Sequence, residues 1–213
     1  MINFRPPKLY WADIRELTQK IRTDFLARPD EIPIPIEEII EFRLRIYIDP
    51  QPFLKEEFGV DGQLLSDLST IIVDSRLCNN EKYLPRLRFT LAHELGHFYL
   101  HKDQIIKAHF SSIDEWIEFR QSIPEEDISW FEKQADEFAG SLLVPSNMLR
   151  GFLEDKRSKI TKYINETNSD EAHERAIDAI SMTLCAEFGV SHNVIETRIR
   201  KEKLWDELGF YNI

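Results

Sequence analysis

The stretch RFTLAHELGHFYLH, residues 88–101, sets three histidines and one glutamate inside a run that otherwise reads as core: Phe89, Leu91, Ala92, Leu95, Phe98 and Leu100. Leu91, Leu95 and Phe98 recur at i, i+4 and i+7, so the segment predicts a strongly apolar helix. On that helix His93 and His97 lie four residues apart, project from one face and can reach a single ion. Glu94 stands beside His93 at the rim of the same face. In this H-E-x-x-H arrangement two neutral imidazoles bind zinc and the glutamate takes a proton from the attacking water, most often to hydrolyse a peptide bond. The bland alternative is a pair of structural histidines satisfied inside a core helix. Gly96 weakens a helix interior by about 1 kcal/mol relative to alanine, which makes sense if another backbone crosses closely there.

A zinc site needs a third protein ligand. His101 lies eight residues beyond His93, about 12 Å of helix rise, too far to share an ion with it. A histidine six residues past His97 is also absent, because position 103 is Asp. The ligand must then come from another helix. WFEKQADEFAGSLLVP, residues 130–145, carries Phe131, Ala135, Phe138 and Leu142 as a buried stripe, with Ala139 and Leu143 beside it. At 100° per residue Glu132 falls at the edge of that stripe, and Glu137 points away toward solvent. Glu132 is therefore the expected ligand, although an ordinary solvated glutamate in a first turn would look the same. Ala135 and Ala139 would allow close approach to the histidine helix. Asp136, one turn after Glu132, could accept the free ring N–H of a ligating histidine.

Outward from these two helices the chain divides by period. Residues 10–27 have helical spacing, RPDEIPIP breaks it, and IEEIIEF resumes as a short helix. From 43 to 75, LRIYID alternates, GVDGQLL holds a turn signal and STIIVDS is a β-branched run, which together predict a small antiparallel sheet. Helical patterns follow at about 86–102, 128–143, 171–188 and 191–206. The fold class expected is α+β, mainly helical, with residues 1–150 forming the catalytic domain and 151–213 a helical extension packed on it. DEWIEFRQSIPEEDIS reads as a charged connection past the mouth of the site, its PEEDIS end a solvated loop leading into a helix capped at Ser129.

Composition narrows the function classes. The 213 residues carry 38 acidic and 27 basic side chains, a formal charge of -11, which argues against a general polyanion binder. Cys78 and Cys185 have no C-x-x-C partner, so neither a disulfide framework nor a cysteine zinc cage is indicated. Cys185 sits in an apolar helical pattern and reads as core. No secretory h-region and no run near 20 apolar residues is present, so a soluble, cytoplasmic protein is expected. His109, His173 and His192 lack partners at ligand spacing and read as surface residues.

RFTLAHELGHFYLH followed about 30 residues later by EKQADEFAGSLLVP resembles the ImmA/IrrE family of bacterial zinc metallopeptidases, whose pattern runs H-E-L-G-H-x-x-x-H and then E-x-x-A-x-x-F-A-x-x-L-L-x-P. With the upstream GVDGQLLSDLSTIIVDS, the likeness covers residues 10–205 or so. It implies a zincin-like domain with Zn2+ on His93, His97 and Glu132 and with Glu94 as general base. His101, at the family's third histidine, would support the ligands or pack beside them. Val144 stands where methionine is common. The resemblance also implies selective cleavage of a regulator, often a helix-turn-helix repressor made by a neighbouring gene.

The C-terminal TLCAEFGVSHNVIETRIRKEKLW has the hydrophobic spacing of a helix-turn-helix, with Gly189 at the turn and Ser191 as N-cap. Arg198, Arg200, Lys201 and Lys203 give its second helix a basic character, diluted by Glu196 and Glu202, so DNA contact through residues 184–203 stays open. The same spacing serves a helical pair that only packs. The second function class is thus a binding protein that keeps a metal-holding scaffold and sequesters a partner or touches DNA. Retention of Glu94, which a scaffold would not need, favours the endopeptidase.

Overall fold

A computed structural model describes residues 5–167, 169 and 171–212, the side chain of residue 212 excepted. The described residues fall into two compact units, one built from segments before 30 and from 35 to 142, the other from 30–34 and the chain after 142. Residues 1–4 and 213, the outermost parts of the two expected domains, lie outside the described residues. No helix among the described residues is long and apolar enough to cross a membrane.

The first unit starts with α1 (Trp11–Phe25), followed by α2 (Ile36–Glu38), which widens into a π-turn over Ile39–Arg43. Next come β1 (Tyr47–Gln51), α3 (Leu54–Phe58), β2 (Gly62–Leu64), β3 (Thr70–Asp74) and α4 (Ser75–Cys78). It closes with α5 (Leu84–Leu100), α6 (Lys102–Ala108), α7 (Ile113–Gln121) and α8 (Glu125–Leu143). The class is α+β and mainly helical, as the periods predict, but the sheet is mixed. Its order is β1-β3-β2, with β2 antiparallel to β3 and β1 parallel to it. The turn signal in GVDGQLL does not join the two obvious strands. It precedes β2, a three-residue strand that takes the hairpin partnership with β3, and α3 carries the chain across so that β1 enters from the other side in parallel. Pro50 is tolerated because β1 is an edge strand.

Two further expectations are corrected. The segment expected as a charged connection forms α7, whose Trp116 is buried. The PEEDIS stretch is not a loop capped at Ser129: Glu125, Glu126 and Asp127 form the first turn of α8, where carboxylates oppose the positive end of the helix dipole.

Packing between α5 and α8 sets the geometry of everything near the histidines. Leu91, Ala92 and Leu95 of α5 and Ala135, Phe138 and Ala139 of α8 are fully buried. At the crossing Gly96 meets Ala135: a Cβ on Gly96 would lie 3.1 Å from the Ala135 Cα and 3.2 Å from its carbonyl oxygen. Glycine opposite alanine therefore lets the two backbones touch. On the other side of α5, β2 is equally close, and a Cβ on Gly62 would come within 2.7 Å of the Thr90 Cγ2. α1 closes the opposite flank of α8. Arg15 Nε donates to Glu137 Oε1 at 2.8 Å, and the fully buried Arg22 donates through Nη1 to the Leu142 carbonyl at 2.9 Å, satisfying an orphan acceptor at the helix C-terminus.

The second unit contains α9 (Ser146–Asp155), α10 (Arg157–Glu166), α11 (Ala172–Phe188), α12 (His192–Lys201) and α13 (Leu204–Glu207). Gly189 ends α11 with φ +64°, and Ser191 takes the N-cap position of α12 without a side-chain bond. Arg198 is buried and paired with Glu202, while Arg200 pairs with Glu174 and Glu196. Cys185 is half-buried and not a core residue.

Gly96→Ala should test the crossing. Alanine gains up to about 1 kcal/mol of helix propensity, whereas forcing a methyl against backbone atoms that cannot rotate away costs about 1–3 kcal/mol. The expected outcome in denaturant melts is a net loss of stability of roughly 1 kcal/mol, and a more stable variant would mean that α8 is free to move off.

Candidate metal centre

α5 presents His93 and His97 on successive turns, and α8 brings Glu132 to meet them. Among the described residues these three form one group whose donor atoms all lie within 4.8 Å of one another. His93 Nε2 is 3.0 Å from His97 Nε2 and 3.1 Å from Glu132 Oε2, and His97 Nε2 is 3.9 Å from that same oxygen. Donors bound at zinc–ligand distances around a tetrahedral ion stand about 3.3–3.5 Å apart, so the three separations bracket the size a divalent ion needs. Two imidazole nitrogens and one carboxylate oxygen are also a donor set that zinc takes, with a fourth position left over.

Both histidines of the group are held from behind. Asp136 Oδ1 lies 2.9 Å from His93 Nδ1; a carboxylate only accepts, so Nδ1 carries the proton and Nε2 faces the other donors. His97 Nδ1 lies 2.9 Å from His101 Nδ1, and His101 Nε2 lies 2.8 Å from Gln134 Oε1. The Phe131 ring stacks on both, with centroids 4.3 Å from His97 and 4.1 Å from His101. His101 thus stands apart from the group of three, as its distance along the helix requires, and contacts His97 instead.

The electrostatics follow from this crowding. Burial alone would lower the His93 pKa, yet the bonds to Asp136 and Glu132, helped by the nearby Glu94, hold it well above the usual imidazole value. Burial would raise that of Glu132, but its bonds with His93 and His97 pull it well below the carboxylate range. For His101, burial and the adjacent His97 act together and push it down to about 3.

Glu94 is buried, and its Oε2 accepts the Leu64 amide N–H at 2.7 Å. In the antiparallel ladder Gln63 pairs with Ile72, so Leu64 turns its amide outward from the sheet edge, toward α5. With His93, His97, Glu132 and Asp136, Glu94 lines a cleft of about 560 Å³, within the range of ligand-binding clefts. Phe58, Phe89 and Trp116 add apolar wall, and Lys55 and Arg120 reach the same space.

Glu137 departs from the helical-wheel expectation. It is 2 % exposed and ion-paired with Arg15, because α1 covers the side of α8 that a single apolar stripe leaves to solvent. Four contributors stand outside the reading of the sequence. The Leu64 amide has no side-chain signature, and Gln134 lies off the apolar stripe with nothing to mark it. Trp116 and Arg120 do stand at i, i+4, a spacing from which α7 was readable.

A family model described as the IrrE N-terminal-like domain, a peptidase family, matches residues 77–200, more than half of the chain. The match takes in both donor-bearing helices. No curated protein matches the chain.

The donor set predicts one zinc per chain by elemental analysis, lost in His93→Ala and His97→Ala and strongly reduced in Glu132→Ala. Glu137→Ala should keep the metal but lose about 3 kcal/mol of stability, the low end for breaking a buried ion pair, because its partner Arg15 is partly exposed. Metal lost in Glu137→Ala and kept in Glu132→Ala would reverse the assignment.

Proposed function

The chain belongs to the IrrE N-terminal-like domain family of peptidases, and on that premise we propose that it is a zinc-dependent endopeptidase that cuts a regulatory protein, a helix-turn-helix repressor encoded nearby. A metallopeptidase-type function goes with the family. The observation that supports zinc-dependent hydrolysis is the convergence of His93, His97 and Glu132 on one point, with Glu94 on the wall of the same cleft; the repressor as substrate rests on the family resemblance.

His93, His97 and Glu132 would hold the metal. Bound there, zinc would supply Lewis acidity toward the scissile carbonyl and would lower the pKa of water from about 15.7 to about 7. The chain supplies the proton transfers. Glu94, steadied through Oε2 by the Leu64 amide, takes the proton of the attacking water and passes it to the leaving amine. Asp136 keeps His93 in the tautomer that turns Nε2 to the centre. The buried position of Glu94 limits competition from bulk water, and the aromatic wall of the cleft gives an extended peptide apolar surface to lie against.

A binding protein that only sequesters its partner is the second reading, supported by the α11–Gly189–α12 pair and its helix-turn-helix spacing. Direct DNA contact draws less support, because Arg198 is buried and both Arg198 and Arg200 are occupied by glutamates.

Glu94→Gln separates the two. The amide keeps the shape of the side chain and removes its basicity, so full zinc content, an unchanged melting temperature and cleavage reduced at least ~100-fold are expected. The assay incubates each form with helix-turn-helix regulators encoded beside this gene and follows fragments by mass spectrometry. Equal cutting by both forms would sink the role of Glu94, and tight binding without cutting by either would establish sequestration.

A further inference from the structure

We propose that Gln134 and His101 are positioning residues that set the tautomer of His97, with the Pro7 carbonyl as the fixed end of the chain of hydrogen bonds. The inference rests on the metal-centre reading only in what it says about zinc affinity.

The Pro7 carbonyl can only accept, and it lies 2.8 Å from one end of the Gln134 side-chain amide, so that end is the NH2 group. Were the amide turned over, two carbonyl oxygens would face each other. The oxygen end of Gln134 therefore faces His101 Nε2 at 2.8 Å, and His101 Nε2 must donate. A neutral imidazole has one N–H, so His101 Nδ1 is left with a lone pair. That lone pair faces His97 Nδ1 at 2.9 Å, which must supply the hydrogen. His97 Nε2 then carries its lone pair toward His93 and Glu132, the form a metal requires.

With His101 neutral each link follows from the one before it, and the two links between His97, His101 and Gln134 are buried. His97, His101 and Gln134 are all nearly or fully buried, and Phe131 stacks on the two rings and restricts their rotation. A glutamine is the residue type that can do this. It accepts from His101 and donates to Pro7 at once, which neither a carboxylate nor an ammonium can. Without it His101 could turn its N–H toward His97, whose own hydrogen would then move to Nε2 and point into the metal position.

Two measurements test this. Long-range 1H–15N spectra of the metal-free, otherwise unaltered protein report which nitrogen of each histidine is protonated, and His97 is expected with its hydrogen on Nδ1 and His101 on Nε2. Zinc dissociation constants, measured by chelator competition, should rise about 10–100-fold in Gln134→Met, which can neither accept nor donate in this way. Gln134→Glu still accepts from His101 and should stay close to wild type in affinity, even if loss of the Pro7 bond lowers its melting temperature. A His97 hydrogen on Nε2 in the wild type overturns the proposal, as does wild-type affinity in Gln134→Met or an equal loss in both variants, which would mark Gln134 as packing alone. Should Gln134→Met not fold, the wild-type spectrum decides. Should the wild type bind no zinc, the metal-centre reading fails, while the tautomers of His97 and His101 still test the relay.

Discussion

Contact between the backbones of α5 and α8 at Gly96 and Ala135 is the constraint on which the site depends. Side chains that share an ion must bring their donors to about 2 Å from it, and a glutamate reaches only a few ångströms from its own helix. With a larger residue at either position the helices would separate by a methyl group, and Glu132 would fall short of the histidines. The same short distance brings Asp136 to His93 and Gln134 to His101. One crossing of small residues thus positions Glu132, Asp136 and Gln134 together.

That crossing would be of little use if α8 could slide. Two cations from α1 hold it, one in an ion pair with Glu137 and one on the Leu142 carbonyl at the helix end. Buried pairs of this kind contribute little net stability against a hydrophobic replacement, yet breaking one is expensive, so they resist displacement. The sheet plays the matching part for α5. Its edge strand lies against Thr90, and its Leu64 amide fixes Glu94, the one carboxylate on α5.

What the sequence discloses and what it hides divide along the range of the interactions. His93, Glu94 and His97 are legible because four residues along one helix determine their relative positions. Glu132 and Asp136 are legible at one remove, since the phase of an apolar stripe shows which face turns inward. Glu137 was misplaced because helical phase cannot reveal a second neighbour: α1, over 100 residues away in sequence, covers the outer face of α8. The sheet was misjudged because a strand of three residues has too few positions to show alternation, and the direction of β1 depends on where the chain returns. Gln134 and the Leu64 amide act through contacts with no residue-type signature, and only coordinates expose them.

The order of these parts along the chain has a consequence for biogenesis. Every member of the centre lies between residues 64 and 136, and the far end of the hydrogen-bond series lies at residue 7. Synthesis runs from the N-terminus, and domains can fold as they emerge. The complete donor set has therefore left the peptidyl-transferase centre before α9 to α13 are translated. Bringing His93, His97 and Glu132 together in a nascent chain would depend on the docking of α8 on α5, a pairing across some 40 residues of sequence.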